Sequence, residues 1–322
     1  MGLRGLSKKS AGPLAAAKRR EGASSVAPVS SGYEGSLRPS LACFSRAIGV
    51  GSLSGQALAP FLTALVLAAT PTQYLAARQS PDGGFAEPGG TPTPGLTAWA
   101  ALGLTAAGAP PARALDYLRA HEGDLKTATD AELVLTAEAA LGRASPDLVR
   151  RVRAFRRPNG AIGPTLNSTF WGVIALRQAG EPLEATTRTY ILSRQAHSGG
   201  WAWSQGSPPD SNDTAAAIQA LRTLGASGTP IRRGLAYLRR LQNEDGGVAL
   251  VPGRASDAMS TAWAIQAFVA AGERPSPKAF AFLARLRRPD GSYRYSLRYA
   301  VTPVWVTAQV LPAVARRSFP LR

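Results

Sequence analysis

Apolar residues from Thr70 onward recur in two alternating kinds of segment. One kind is amphipathic and stops at glycine, as in Tyr74-Leu-Ala-Ala-Arg-Gln-Ser-Pro-Asp-Gly-Gly-Phe85 and Tyr237-Leu-Arg-Arg-Leu-Gln-Asn-Glu-Asp-Gly-Gly-Val248. The other is apolar on nearly every face, as in Thr261-Ala-Trp-Ala-Ile-Gln-Ala-Phe-Val-Ala-Ala271. A period near 3.6 with one polar face predicts a surface helix, and a helix apolar all round must be enclosed on both sides. The glycines supply the left-handed residues that end a helix and turn the chain, and the next aromatic or aliphatic residue folds back onto the turn.

The unit repeats. Further copies of the first segment run over Ile191–Trp201 and Phe282–Tyr293, with weaker ones from Tyr117-Leu118 and from Phe155 to Gly160. The second segment spans the same interval in Thr97–Gly108, Thr169–Gly180, Thr214–Gly225 and Thr261–Gly272, and Ala131–Gly142 matches it. In the last copy Pro303 stands in for the threonine. Six copies at a period of roughly 35–47 residues predict six helical hairpins closed into a ring, with an inner and an outer circle of helices. The expected fold is all-α, an (α/α)6 toroid with essentially no sheet.

The repeat of helix, Gln, Asp-Gly-Gly-Phe or Ser-Gly-Gly-Trp, loop, Thr-Ala-Trp-Ala and terminal Gly resembles that of the prenyltransferase β-subunit and squalene/hopene (terpene) cyclase superfamily, over about residues 70–315. In class II terpene cyclases of that superfamily, an Asp-x-Asp-Asp motif at the start of an inner helix protonates an alkene or epoxide through its middle aspartate. The corresponding stretch here is Asp210-Ser211-Asn212-Asp213-Thr214. Its middle residue is Asn212, and a carboxamide has no comparably acidic hydrogen to give. Either flanking carboxyl, Asp210 or Asp213, could still serve as acid if its neighbour kept it neutral.

Helix capping accounts for the same residues. Asp213 aligns with Asp130, Ser168 and Ser260 in sister copies, all good N-cap types, and Asp257 aligns with Asp210. The cap reading is therefore assigned to Asp213 first. Asn167 and Asn212 open glycosylation-type triplets, but both lie at these helix starts and carry little weight.

The resemblance also implies prenyl transfer assisted by zinc on Asp, Cys and His. Cys43 is the single cysteine and lies before the repeats, and His121 and His197 are the only histidines. No metal and no cofactor is expected. Aromatic residues are the other candidates for ligand contact. Trp99, Trp171 and Trp263 stand two residues after the repeat threonine and Trp305 two after Pro303, which predicts one level of the ring; Phe85, Trp201 and Trp203 sit at or just after the glycine turns. Aromatic faces stabilise carbocations by cation–π attraction, and they also fill helix interfaces. Trp201 and Trp203 are expected at the ring mouth.

Charge changes the picture little. The chain carries 37 basic and 20 acidic residues among 322, a formal +17. The arginines are dispersed along helix faces, and no basic motif with interleaved aromatics points to nucleic acid. Residues 1–56 have no helical or strand period and are expected to be disordered. The run 57–69 is too short to span a bilayer as a helix and resembles a secretory core with Val66-Leu67-Ala68 before a cleavage point, which predicts export and a mature protein beginning near Ala69. The toroid is then residues 70–322. The favoured expectation is a toroid that binds an apolar or isoprenoid-like small molecule, or a partner, without orthodox catalysis, together with peripheral membrane contact. The alternative is a squalene/hopene-type terpene cyclase using Asp210 or Asp213.

Overall fold

The computed structural model describes residues 69–321. The expectations for 1–56, and for the apolar run as far as residue 68, lie outside the described residues. Twelve α-helices are present among the described residues: α1 (Pro71–Ala76), α2 (Pro94–Ala106), α3 (Ala114–Ala120), α4 (Ala128–Ala140), α5 (Pro146–Arg153), α6 (Leu166–Gln178), α7 (Ala185–Ser193), α8 (Ser211–Thr223), α9 (Thr229–Arg240), α10 (Ala258–Ala271), α11 (Pro277–Leu286) and α12 (Pro303–Val314). The even-numbered helices form the inner circle. Each packs on the next, and α12 packs on α2, so the ring closes. The odd-numbered helices α3, α5, α7 and α9 each bridge two inner neighbours, α1 bridges α12 and α2, and α11 packs on α10 and shares a core cluster with α12. Among the described residues the sheet content is one two-residue antiparallel ladder, Val248–Ala249 with Ser256–Asp257, and a few isolated bridges.

The repeat threonine ties each turn to its inner helix. Backbone N–H groups of Phe85, Ile162, Trp201 and Val248 donate to the hydroxyls of Thr97, Thr169, Thr214 and Thr261 at 2.9–3.1 Å. In the sixth copy Tyr293 donates to Thr307 at 2.9 Å. Thr307 is therefore the repeat threonine, and the match of Pro303 is corrected: the exposed stretch 297–302 adds residues ahead of α12. Trp305 consequently does not share the level of the other tryptophans, and Gln309 does. The turn glycines are required where backbones meet. Gly199 has φ +93°, and a Cβ there would come 2.6 Å from the Arg233 carbonyl oxygen.

The starts of the inner helices fix one face of the ring. Thr93, Thr127, Thr165, Asp210 and Asp257 cap α2, α4, α6, α8 and α10, each accepting from the N–H three residues on. α12 has no such side chain. Instead the Glu87 carboxylate, from the loop before α2, accepts the N–H groups of Val304 and Trp305 at 3.0 and 2.8 Å. An anion at the positive end of the last helix, held by the first hairpin, locks the ring shut.

The centre of the ring is filled. Trp99, Trp171 and Trp263 meet edge to face with centroids 5.3–6.0 Å apart, and the ring of Phe319 lies 5.9–6.5 Å from all three. After α12 the chain reverses at Arg316, φ 52°, and the tail enters the ring from the C-terminal ends of the inner helices. The Phe319 N–H donates to Gln219 Oε1 at 2.7 Å, and Gln178 donates to the Leu321 carbonyl at 3.0 Å.

Candidate active site

Two carboxyls mark the opposite, N-terminal face. Asp210 has extended backbone, φ −133° and ψ 172°, and its Oδ1 accepts the Asp213 N–H at 2.8 Å. Asp210 is thus the N-cap of α8 and Asp213 lies within the first turn, which reverses the assignment expected from the sequence. Asp130, Ser168 and Ser260 likewise occupy the third helical position behind Thr127, Thr165 and Asp257.

Asp213 differs from Asp130 and Ser168 in what its side chain does, and is nearer to Ser260, whose hydroxyl donates to the Asp257 carboxylate at 2.7 Å. Asp130 and Ser168 reach back to accept the N–H of their own cap residue, at 2.9 and 3.1 Å, completing a capping box. At α8 that route is closed, because the Asp210 N–H already donates to the Trp201 carbonyl at 3.2 Å. Asp213 turns sideways and accepts from Asn167 Nδ2 of α6 at 2.7 Å. Its carboxyl is buried, with 5% exposure. Capping explains Asp210, while the Asp213 side chain is shared between the carboxyl of its own cap residue, Asp210, and Asn167 of α6.

Burial sets the electrostatics. It pushes the Asp213 carboxyl well above the usual aspartate range, and the negative charge of Asp210 pushes the same way, against the Asn167 donor. Asp210 is raised too, first by burial, but the side chain and backbone N–H of Asp213 oppose the rise. The pair therefore holds a proton more tightly than isolated aspartates do, and Asp210, which accepts the Asp213 N–H, is the better placed of the two to carry negative charge.

The surrounding rim carries exposed apolar side chains among charged ones. The N–H groups of Asn167, Ser211 and Ala258 donate to the carbonyls of Trp203, Leu250 and Tyr295 at 2.8–3.0 Å, so the loop before each inner helix leans on its neighbour. Those loops expose Trp203, Leu250, Leu297, Tyr299 and Val301. Trp305 is half-buried at the start of α12. Trp201 is not at the mouth as expected: its ring is fully buried, with Nε1 donating to the Ile191 carbonyl at 2.8 Å. Phe85, its counterpart in the first hairpin, is equally buried. Trp171 and Trp263 are core residues and Trp99 is half-buried against them.

Neither histidine joins a metal-type cluster. His121 Nδ1 lies 2.8 Å from the Tyr117 carbonyl and its ring stacks on Tyr117, while His197 is exposed. Among the described residues no three His, Cys, Asp or Glu side chains gather as ligands would. Residues that sequence reasoning passed over matter more: Asn167, which was weighed only as part of a glycosylation triplet, and the buried acids of α4.

Glu132 is fully buried, neither of its carboxylate oxygens has a hydrogen-bond partner, and burial raises it well above the usual range. Burial raises Glu138 to about 7, against the hydrogen bond from the Ser145 N–H. The folded chain then binds more protons than the unfolded chain between about 4.5 and 7, so stability falls as pH rises through that window. Glu138→Gln, which can still accept from Ser145, is expected to flatten this slope and to raise the unfolding free energy at pH 8 by up to about 3 kcal/mol. Urea titrations across pH 4.5–8 check it; an unchanged slope would refute the assignment.

No family model matches the chain. A drimenyl diphosphate synthase from Streptomyces showdoensis is 30% identical over 266 residues, 69% of this chain and 49% of that protein. One from Streptantibioticus cattleyicolor is 46% identical over 71 residues, 21% of this chain and 13% of that protein. The chain thus matches about half the length of the first relative and a smaller share of the second. Among solved structures, a type II terpene cyclase from Scytonema in complex with geranylgeranyl dihydroxybenzoate superposes with TM-score 0.60 at 15% identity, covering 76% of this chain and 95% of that one. Protein geranylgeranyltransferase-I of Candida albicans, complexed with GGPP, gives 0.53 at 11%, covering 69% and 83%. The closed ring of helical hairpins is the α/α-toroid fold that these solved structures share.

Proposed function

We propose that the protein is a protonation-initiated terpene cyclase acting on a linear isoprenoid at the N-terminal face of the ring, with Asp213 as the acid. One observation carries this reading: Asp213 is a buried carboxyl that makes no capping-box bond, held by Asn167 beside a second carboxyl that raises its proton affinity. Such a group can hand its proton to a carbon–carbon double bond, forming one C–H bond and leaving a tertiary cation for the next alkene to attack. Asp210 caps α8 and loads the proton onto its neighbour, and Asn167 fixes the side chain. Trp203, Tyr299 and Trp305 are accessible aromatic faces at this rim and would meet developing positive charge. The relatives named above act on, or bind, prenyl compounds, and the toroid spans 95% of the Scytonema cyclase chain, so one ring of this size is compatible with cyclase chemistry.

A second reading keeps the isoprenoid and drops the turnover. Asn212 stands where the resembling cyclases keep their donor, and the ring centre is filled by three tryptophans and Phe319. In that case the exposed apolar rim binds a prenyl chain, at a membrane surface or in solution, and no cyclic product forms. Incubation with farnesyl diphosphate, geranylgeranyl diphosphate and squalene, analysed by mass spectrometry, decides between them. A cyclic product from any of the three supports the first reading. Retained but unconverted isoprenoid supports the second, and absence of both overturns both.

A further inference from the structure

On the outer circle α9 and α11 flank α10, and residues of all three helices line a cavity of about 190 Å³. Its wall is apolar: Leu238, Val248, Ala264, Ile265, Phe268 and Ala279, each less than a tenth exposed. The space lies on a seam. Leu238, Val248, Ala264 and Phe268 belong to the main core cluster, whereas Ile265 and Ala279 belong to the smaller cluster shared with α12. Two of the lining side chains are alanines, too short to close the gap, and an unfilled apolar space forfeits the contacts its lining would otherwise make.

The solvent side of the cavity is basic. Arg239 and Arg274 both line it and both are exposed, but they differ in what holds them. The Arg239 guanidinium pairs with Glu273 and stands 4.9 Å from the centroid of the Phe268 ring, which makes it a fixed and neutralised edge. Arg274, the next residue along from Glu273, has no hydrogen bond, ion pair or ring contact from its side chain among the described residues. Ser276 also lines the space, and its hydroxyl makes no cap bond to α11. An apolar interior thus opens past one guanidinium that nothing in the fold employs.

We propose that this cavity binds a small apolar molecule carrying one carboxylate, its hydrocarbon body against the six apolar side chains and its head on Arg274. Size and charge define the class. An apolar hole of about 150 Å³ takes up benzene, so the space here suits one six-membered ring or a chain of similar bulk, and it is smaller than the pockets of about 300 Å³ and upward that take drug-sized ligands. A single unpartnered guanidinium offers one planar fork, which matches one carboxylate. The Glu273 carboxylate beside Arg239 stands against a second negative charge, which disfavours a phosphate ester. None of the lining residues belongs to the Asp210–Asp213 site or to the filled centre of the ring, so the proposal does not depend on the cyclase reading.

The test titrates the full chain with 4-fluorobenzoate and with 4-fluorobenzamide, read by fluorine NMR line broadening. Saturable binding of the acid to one site per chain is expected, and the amide, which keeps the ring and loses the charge, should bind roughly ten-fold more weakly. Arg274→Gln should weaken the acid by a similar factor and leave the amide as it was, so that the two bind alike. Ala279→Leu fills the cavity from α11 and should abolish binding of both, while Asp213→Asn should change neither. Arg274 is exposed and holds no other residue, so its variant is expected to fold as the parent does and keeps the test decisive if Ala279→Leu disturbs the packing. Absence of saturation by the acid overturns the proposal, and so does an acid affinity unchanged by Arg274→Gln.

Discussion

In the Asp213→Asn protein, formation of cyclic product is expected to fall by roughly 10²–10⁴-fold while isoprenoid binding stays as it was. The amide keeps the shape of the carboxyl and its contact with Asn167, which can rotate its own amide to suit, but it has no acidic proton. The buried volume is unchanged, so the fold should hold. Asp210→Asn is expected to behave differently. Asparagine caps helices well, so α8 should lose only a few tenths of a kcal/mol. What disappears is the negative charge that helps to raise Asp213. The Asp213 carboxyl then ionises at lower pH, and the alkaline limb of the rate profile should move to lower pH with modest loss at the optimum. A merely structural Asp210 would leave that limb in place. Equal, complete inactivation by both substitutions, with no shift of the profile, would place the proton elsewhere. A parent protein that binds isoprenoid and converts none would leave Asp213→Asn without effect and select the silent toroid.

The ring was legible in the sequence because its signals are local and repeated. The paired glycines demand a backbone that other residues avoid, as Gly199 shows, and the threonine eleven residues before each terminal glycine reports a hydrogen bond that every turn but one in the series repeats. Where the misreadings arose, the cause is equally physical. Asp210 and Asp213 stand three apart, and the N-cap and third helical positions favour the same short polar side chains, so residue type alone does not say which is which. Backbone angles do. The last copy was misaligned because the stretch 297–302 lengthens its loop, so that Pro303 occupies the expected interval while the hydroxyl that binds Tyr293 comes four residues later at Thr307. Trp201 looked like a mouth residue because it follows a turn, yet the residue after the glycines is the one that folds back into the core, as Phe85 does. Glu132 and Glu138 were visible as acids inside an otherwise apolar helix. Glu87, Asn167 and Phe319 act across 46 to 218 residues of chain, and no periodicity encodes that.

The tail's closing contact is open to the second large test. Phe319 is 2% exposed and packs its ring against Trp99, Trp171 and Trp263 at once. Phe319→Ala is expected to cost about 3–5 kcal/mol, the loss of a buried aromatic together with the cavity left behind. The tilted and edge-on ring contacts put the value toward the upper end, since each aromatic pair adds about 0.5–1.5 kcal/mol beyond burial. Phe319→Leu, which refills most of the volume, should recover more than half. Urea unfolding followed by tryptophan emission reads both effects, because three of the chain's six tryptophans border the site. If Phe319→Ala costs less than about 1 kcal/mol, the tail does not plug the ring, and the centre would then be open to a prenyl chain from either face.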